Sequence, residues 1–79
     1  MTLDLLPIGT LASIVAVDWP QLPEEEGQRL RSLGIDTGAR ISVSHRGVFG
    51  GGDPIAVQIG RMTVALRRMH AQAMAVRVL

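Results

Sequence analysis

Two histidines are the only imidazole side chains in this 79-residue sequence, and they are the first candidates for proton transfer or metal binding. His45 and His70 lie far apart, without the close spacing of paired metal ligands. Neither has a carboxylate three or four residues away, where a helix would place a partner. We therefore predict that both are surface or rim histidines.

Three consecutive glutamates offer the other possible metal chemistry. Glu24 to Glu26, together with Gln28, could supply the hard oxygen ligands that a divalent cation prefers. They directly follow Pro23, a residue suited to the first position of a helix. Carboxylates in a first turn complement the helix dipole, so a solvated helix start is the alternative that we favour.

Other catalytic and phosphate-binding signatures are missing. The loop from Phe49 to Pro54 contains three glycines but lacks the GxxxxGK[ST] pattern, and no helix is predicted after it. No serine lies in a GxSxG motif. The sequence has no cysteine and no lysine, which excludes thiolate ligands, disulfides and Schiff-base chemistry. We predict no catalytic residue, no cofactor and no bound metal, and hence no enzyme.

Charge and length limit the possible partners. The net charge is only +1, and the pI of 9.1 reflects the lack of Lys, Tyr and Cys rather than a strongly basic chain. Arg67 and Arg68, with Arg46 and Arg61 as further candidates, suit an acidic protein better than a nucleic acid. The apolar stretch from 4 to 18 is too short to span a membrane. With no arginine near the start to mark a signal peptide, we expect a soluble, cytoplasmic, single domain over residues 1–79.

Alternating apolar residues predict mostly strands. The run at 11–17 is nearly continuous and should be a strand covered on both sides. Further strands are predicted at 40–45, 54–59, 62–66 and 74–78, with inward side chains that include Met62 and Val78. Gly60 and Arg61 make a tight hairpin connection between the third and fourth strands. We also predict that the four methionines are mostly core filler.

One helix interrupts this series of strands. It should run from Pro23 to Leu33, with Leu30 and Leu33 packing three residues apart and Gly34 ending it through a left-handed conformation. A single helical turn is expected at 67–73. The predicted fold class is therefore all-β: a small SH3-like barrel of about five strands, with one helix between the first and second strands. An OB-fold is the alternative, although its helix usually comes later.

The order of several short motifs resembles the FeoA family. The matching segments cover nearly the whole chain: residues 3–9 followed by Ala12 and Ile14; Arg29-Leu30-x-x-Leu33-Gly34-Ile35-x-x-Gly38; Ile41 and Val43; Gly52-Asp53-Pro54-Ile55; and Leu66-Arg67 followed by Ala71, Ala73 and Val76. Each motif alone is common, whereas their order and spacing together are fairly specific.

This resemblance implies an SH3-like domain without catalytic residues. It further implies an accessory protein of ferrous iron uptake that binds the cytoplasmic part of a FeoB-type GTPase transporter. The alternative is a stand-alone metal-sensing or regulatory module related to the C-terminal domain of iron-dependent repressors. No contact with nucleic acid and no insertion into the membrane are expected, and self-association stays open.

Five residues are the predicted partner contacts. Short barrels bind through loops and an exposed face, which directs attention to loop aromatics and solvent-facing arginines. Trp19 and Phe49 are the only aromatic residues, and each is either a lid on the core or an exposed anchor. The predicted contact set is Leu30, Leu33, Phe49, Arg67 and Arg68.

Overall fold

The computed structural model describes residues 1–47 and 53–79, which form a five-stranded antiparallel sheet and two helices. Across the sheet, the fourth strand of the chain is followed by the third, the second, the first and the fifth, so the first strand lies beside the last. The predicted strand count and the helix between the first two strands are confirmed. The elements are β1 (Ala12–Val17), α1 (Glu24–Ser32), β2 (Arg40–Arg46), β3 (Ile55–Ile59), β4 (Met62–Leu66), α2 (Arg68–Gln72) and β5 (Met74–Val78).

The β3–β4 hairpin follows the alternation of its sequence. Its two strands pair in unbroken register from Ile59↔Met62 to Ile55↔Leu66 around a two-residue turn. Side chains at alternate positions enter the core, and Val57 is fully buried. Met62 was predicted to point inward but is 42% exposed, because it begins an end strand where little packs over it.

Helix α1 ends as predicted at Gly34. The residue has φ +91°, which an L side chain rarely adopts. The Ile35 N–H donates to the Leu30 carbonyl (3.0 Å) and the Gly34 N–H to the Arg31 carbonyl (2.9 Å). This is the Schellman pattern, and Leu30 and Ile35 are both fully buried at its apolar contact. The motif therefore ends the helix and also fixes it to the core.

The core lies between the sheet and the helices, and three predictions about its extent were wrong. β1 is not covered on both sides, since Val15 is 43% exposed beside a register shift in the β1–β5 pairing. Val78 is 48% exposed because it ends the outermost strand. Among the methionines only Met74 is core, whereas Met1, Met62 and Met69 are 42–59% exposed.

Hydrogen bonds from Arg46 and pairing with β5 hold the N-terminal segment in place. A 3-10 turn at Leu3–Leu5 buries Leu3, and Leu6 is buried directly after it. Arg46 donates from Nη1 to the carbonyl of Asp4 (2.8 Å) and from Nη2 to that of Leu6 (2.5 Å). Arg46 is thus half-buried and structural, and the suggestion that it contributes to a basic surface was wrong.

Candidate functional site

An open cleft of about 530 Å³ lies where α1 approaches the end of β4 and the start of α2. Three elements and the segment before β3 contribute, so the cleft exists only in the folded chain. The C-terminal end of α1 reaches the other end of the hairpin, where a Cβ built on Gly34 would lie 4.0 Å from Ile59 Cγ2. The cleft is lined by Glu26, Arg29, Asp53, Pro54, Ala65, Leu66, Arg67 and His70.

His70 forms the floor of this cleft and is only 2% exposed, so the prediction of a surface or rim position was wrong. Its Nδ1 accepts a hydrogen bond from the Arg67 N–H (3.2 Å), and its Nε2 lies 2.9 Å from Glu26 Oε1. Because Nδ1 is an acceptor, Nε2 carries the proton and donates to the carboxylate. The histidine thus joins the first turn of α1 to the start of α2.

These contacts leave the ring with no free nitrogen. One nitrogen is occupied by a backbone N–H and the other by a carboxylate, so His70 offers neither a lone pair for a metal nor a vacant base for proton transfer. Among the described residues that line the cleft there is no serine, threonine, lysine or cysteine that could act as a nucleophile. The cleft as described is suited to binding and lacks an assembled catalytic group.

Asp53 also has a structural contact in the cleft wall. Its Oδ1 accepts a hydrogen bond from the Arg68 N–H (2.9 Å) at the first residue of α2. A carboxylate at this place satisfies one of the backbone donors that a helix start leaves unpaired. Both acidic side chains of the cleft, Glu26 and Asp53, are therefore engaged by groups of the protein itself.

The arginines of the cleft have no such intramolecular contact with a carboxylate. Arg29 and Arg67 are exposed, and in residues 1–47 and 53–79 neither guanidinium forms an ion pair with a carboxylate. With Glu26 and Asp53 held by His70 and the start of α2, the two cations face the solvent. The two guanidinium groups are therefore the groups of the cleft that could bind a carboxylate of a ligand.

The predicted partner contacts do not all lie at the cleft. Arg67 lines the cleft, Arg68 begins α2 beside it and is exposed, and Leu33 is half-buried at the end of α1. Leu30 is 0% exposed and contributes no contact surface, because its side chain completes the Schellman contact. Phe49 lies outside the described residues. The prediction missed Glu26 and His70, whose contact joins residues 44 positions apart.

A second, smaller cleft of about 310 Å³ surrounds Trp19. The Arg31 guanidinium lies 4.1 Å from the centre of the indole ring, a cation–π arrangement. A Cβ built on Gly27 would be 3.3 Å from Trp19 Cε3, so the missing side chain lets the indole pack closely on the helix. Trp19 is half-buried against the core, which agrees with a role as lid.

The glutamate run does not assemble a metal centre in the part of the chain that the structure describes. Glu24 and Glu25 are exposed, Glu26 is paired with His70, and no group of three or more His, Cys, Asp or Glu side chains converges there. Within the same residues, neither helix has the length and apolar character needed to cross a membrane.

Comparisons with known proteins identify one family. A family model described as the FeoA domain matches residues 1–78. The chain is similar to the FeoA of Stenotrophomonas maltophilia complexed with zinc, with 34% identity, a TM-score of 0.80, and coverage of 98% of this chain and 89% of that one. That protein is described as a prokaryotic SH3 domain protein and as a candidate activating factor of ferrous iron transport. The predicted SH3-like fold is confirmed.

Two further solved structures are longer than this chain. The iron(II) transport protein A from Clostridium thermocellum is 28% identical with a TM-score of 0.84 over the whole chain, which spans 46% of that protein. A manganese-dependent transcriptional repressor is 26% identical with a TM-score of 0.81, again over the whole chain, which spans 41% of it. A search of curated protein sequences gives no significant match.

Proposed function

We propose that this chain, which belongs to the FeoA domain family, is a non-enzymatic accessory protein of ferrous iron uptake that binds the cytoplasmic part of a FeoB-type GTPase transporter. The family link to ferrous iron transport supports the process. The proposal adds two claims: that the partner is the transporter, and that the chain modulates it. A cytoplasmic location follows from it, because the partner surface lies there.

The observation that carries the proposal is a cleft whose two arginines form no ion pair with a carboxylate of the described residues. Arg29 and Arg67 are exposed cations, whereas the neighbouring carboxylates are engaged within the protein. Exposed guanidinium groups of this kind can pair with carboxylates of an acidic partner, and charge complementarity acts mainly on association rate and specificity. Leu33 lies at the C-terminal end of α1, and Arg68 begins α2 beside the cleft. Both extend the proposed contact area.

A direct binding measurement tests the proposal. The purified cytoplasmic GTPase domain of a FeoB-type transporter is titrated with the chain by isothermal calorimetry, and we expect saturable 1:1 binding. Arg67→Glu should weaken binding by about fivefold or more, since it replaces an attractive charge with a repulsive one. Arg77→Glu, on β5 and outside the cleft, is the matched control and should bind like the unmodified chain.

Cellular iron uptake provides the second readout. Deleting the gene should lower uptake of radioactive Fe²⁺ at limiting iron, and the unmodified chain should restore it better than Arg67→Glu. If the purified domain shows no binding and the deletion leaves uptake unchanged, the proposal fails.

The similarity to a manganese-dependent repressor favours a second candidate function. In that case the chain is a metal-sensing or regulatory module, with Glu24 and Glu25 as its free carboxylates. Calorimetric titration with Fe²⁺ or Mn²⁺ under anaerobic conditions separates the two candidates. Micromolar binding that is lost in Glu24→Ala/Glu25→Ala, a variant that keeps the Glu26–His70 contact, would support metal sensing.

A further inference from the structure

Strand β4 has an open backbone edge. It is the end strand of the sheet, and it pairs with β3 on one side while no described strand pairs with the other. Thr63 and Ala65 are exposed, whereas the intervening Val64 is 8% exposed and faces the core. The strand contains no charge and no proline, the features that usually block an edge from pairing.

The outward backbone groups of β4 can be assigned from its register. In an antiparallel hairpin with a two-residue turn, the closing pair is hydrogen-bonded and the pairs then alternate. Ile59↔Met62 closes this turn, so Gln58↔Thr63 and Ala56↔Ala65 are non-hydrogen-bonded pairs. The N–H and C=O groups of Thr63 and Ala65 therefore point away from β3. In agreement, the Ala56 carbonyl faces β2 and accepts from Ser44 Oγ (3.2 Å).

The opposite edge of the sheet, formed by β5, is covered by another part of the chain. The outer side of β5 is covered by the first residues of the chain, with a bridge between Thr2 and Ala75 and a 2.8 Å hydrogen bond from the Val76 N–H to the Met1 carbonyl. One end strand is thus covered within the protein, whereas no backbone group of residues 1–47 and 53–79 pairs with the outward donors and acceptors of Thr63 and Ala65.

The charges beside β4 indicate which kind of segment could pair with its free edge. Arg61 precedes the strand and Arg67 follows it in extended conformation (φ −76°, ψ 153°). Both are exposed and lie directly outside the two ends of β4, so cations bracket an uncharged strand. A second copy pairing Thr63 with Ala65 would place Arg61 opposite Arg67 at both ends, and directly opposed like charges are destabilising.

We infer that the free edge of β4 binds, by strand addition, an extended segment with an uncharged middle and an acidic residue at each end, six positions apart. The main-chain hydrogen bonds go to Thr63 and Ala65, and the two carboxylates meet Arg61 and Arg67. The inference rests on the proposed function for the source of this segment, which is the transporter's cytoplasmic part. It adds the surface and the chemistry of the ligand.

A capped seven-residue peptide is the probe, with glutamate at its first and seventh positions and alternating valine and threonine between them. It is titrated to about 1 mM into the ¹⁵N-labelled chain and followed by nuclear magnetic resonance; weak β-addition is expected in this range. The Thr63 and Ala65 amides should shift and exchange more slowly with solvent. No response at these two amides overturns the inference.

Modified peptides test the backbone contacts without altering the protein. The third and fifth peptide positions lie opposite Ala65 and Thr63 in the antiparallel register, so N-methylation of both should weaken binding by about tenfold or more. Methylating only the fourth nitrogen, which points away from β4, is the matched control. Equal weakening by both modifications would contradict strand addition.

Protein variants test the charges. Arg67→Glu should weaken peptide binding by about fivefold, and Arg77→Glu, on the far strand of the sheet, should not. A concentration-dependent shift of the Thr63 and Ala65 amides without peptide would show that a second copy occupies the edge, and would overturn the acidic-segment inference.

The two proposals fail in different ways. If the transporter domain binds the labelled chain but leaves the Thr63 and Ala65 amides unchanged, the strand-addition inference is wrong and the proposed function stands. If the peptide binds this edge while the transporter domain does not bind at all, the surface is assigned correctly and the proposed partner is wrong.

Discussion

Replacing His70 should be the most informative single change in the cleft. The ring is 2% exposed and satisfies two partners, the Arg67 N–H and the Glu26 carboxylate. His70→Ala removes the packing of the ring and both hydrogen bonds at once. Glu26→Gln keeps an oxygen that can accept from Nε2 and removes only the negative charge. Comparing the two separates the ring's structural contribution from that of the carboxylate charge.

The structure sets the relative sizes of these effects. Truncating a buried ring of this size and leaving its partners unpaired should lower the free energy of unfolding by about 2–4 kcal/mol. Glu26 is 36% exposed, so solvent screens its charge and Glu26→Gln should cost less than about 1 kcal/mol. Glu26→Ala should fall between them, because it leaves the buried Nε2–H without an acceptor. Glu24→Ala is the control and should lie within about 0.5 kcal/mol of the unmodified chain.

Urea denaturation followed by tryptophan fluorescence measures these differences. Trp19 is the only tryptophan and packs against α1 at Gly27, so its emission follows the helix that His70 anchors. With a urea dependence of about 1 kcal/mol per molar, His70→Ala should lower the midpoint by roughly 2 M or more. Total stability for 79 residues is on the order of 4–12 kcal/mol, so the effect is a large fraction of it.

Two results would refute this reasoning. A His70→Ala midpoint close to that of the unmodified chain would mean that the ring does not fix α2 to α1. A Glu26→Gln cost equal to that of His70→Ala would mean that charge, rather than packing and hydrogen bonding, dominates the contact.

The remaining predictions concern the backbone that frames the cleft. Gly47→Ala should destabilise by about 1–3 kcal/mol, because its Cβ would lie 2.3 Å from the Asp53 carbonyl oxygen and no side-chain rotation relieves that clash; thermal unfolding measures it. Gly34→Ala should cost about 1 kcal/mol at φ +91° and Gly34→Val more, and equal costs would contradict the proposed helix stop. Arg46→Met should speed amide exchange at Leu6, since it removes both hydrogen bonds that hold the N-terminal segment; unchanged exchange would show that apolar packing suffices.

Most of the fold could be predicted from local sequence patterns. Alternation in β3 and β4 and the two-residue turn between them specify both faces and the register of the hairpin. The Leu30 to Ile35 segment specifies its own helix end through Gly34. These features depend on neighbours within a few positions, which is the range over which periodicity and turn chemistry act.

Long-range contacts explain what the sequence did not reveal. Glu26 and His70 meet across 44 positions, and Arg46 recognises backbone carbonyls that have no side-chain signature. Alternation also cannot tell whether a face is covered, which is why Met62 and Val78 were assigned to the core although both lie on end strands. The cleft is made by these tertiary contacts and was therefore not predicted.

The neighbouring position of β1 and β5 constrains the order of folding during synthesis on the ribosome. β1 forms only two register pairs with β2, whereas its pairing with β5 runs from Ala12↔Val78 to Val17↔Met74. A nascent chain must therefore wait for its last strand before β1 has its main partner, and such distant pairings are slow to form. Until then β1 presents an unpaired apolar edge, so a polypeptide interrupted before Met74 should aggregate rather than persist as a partial fold.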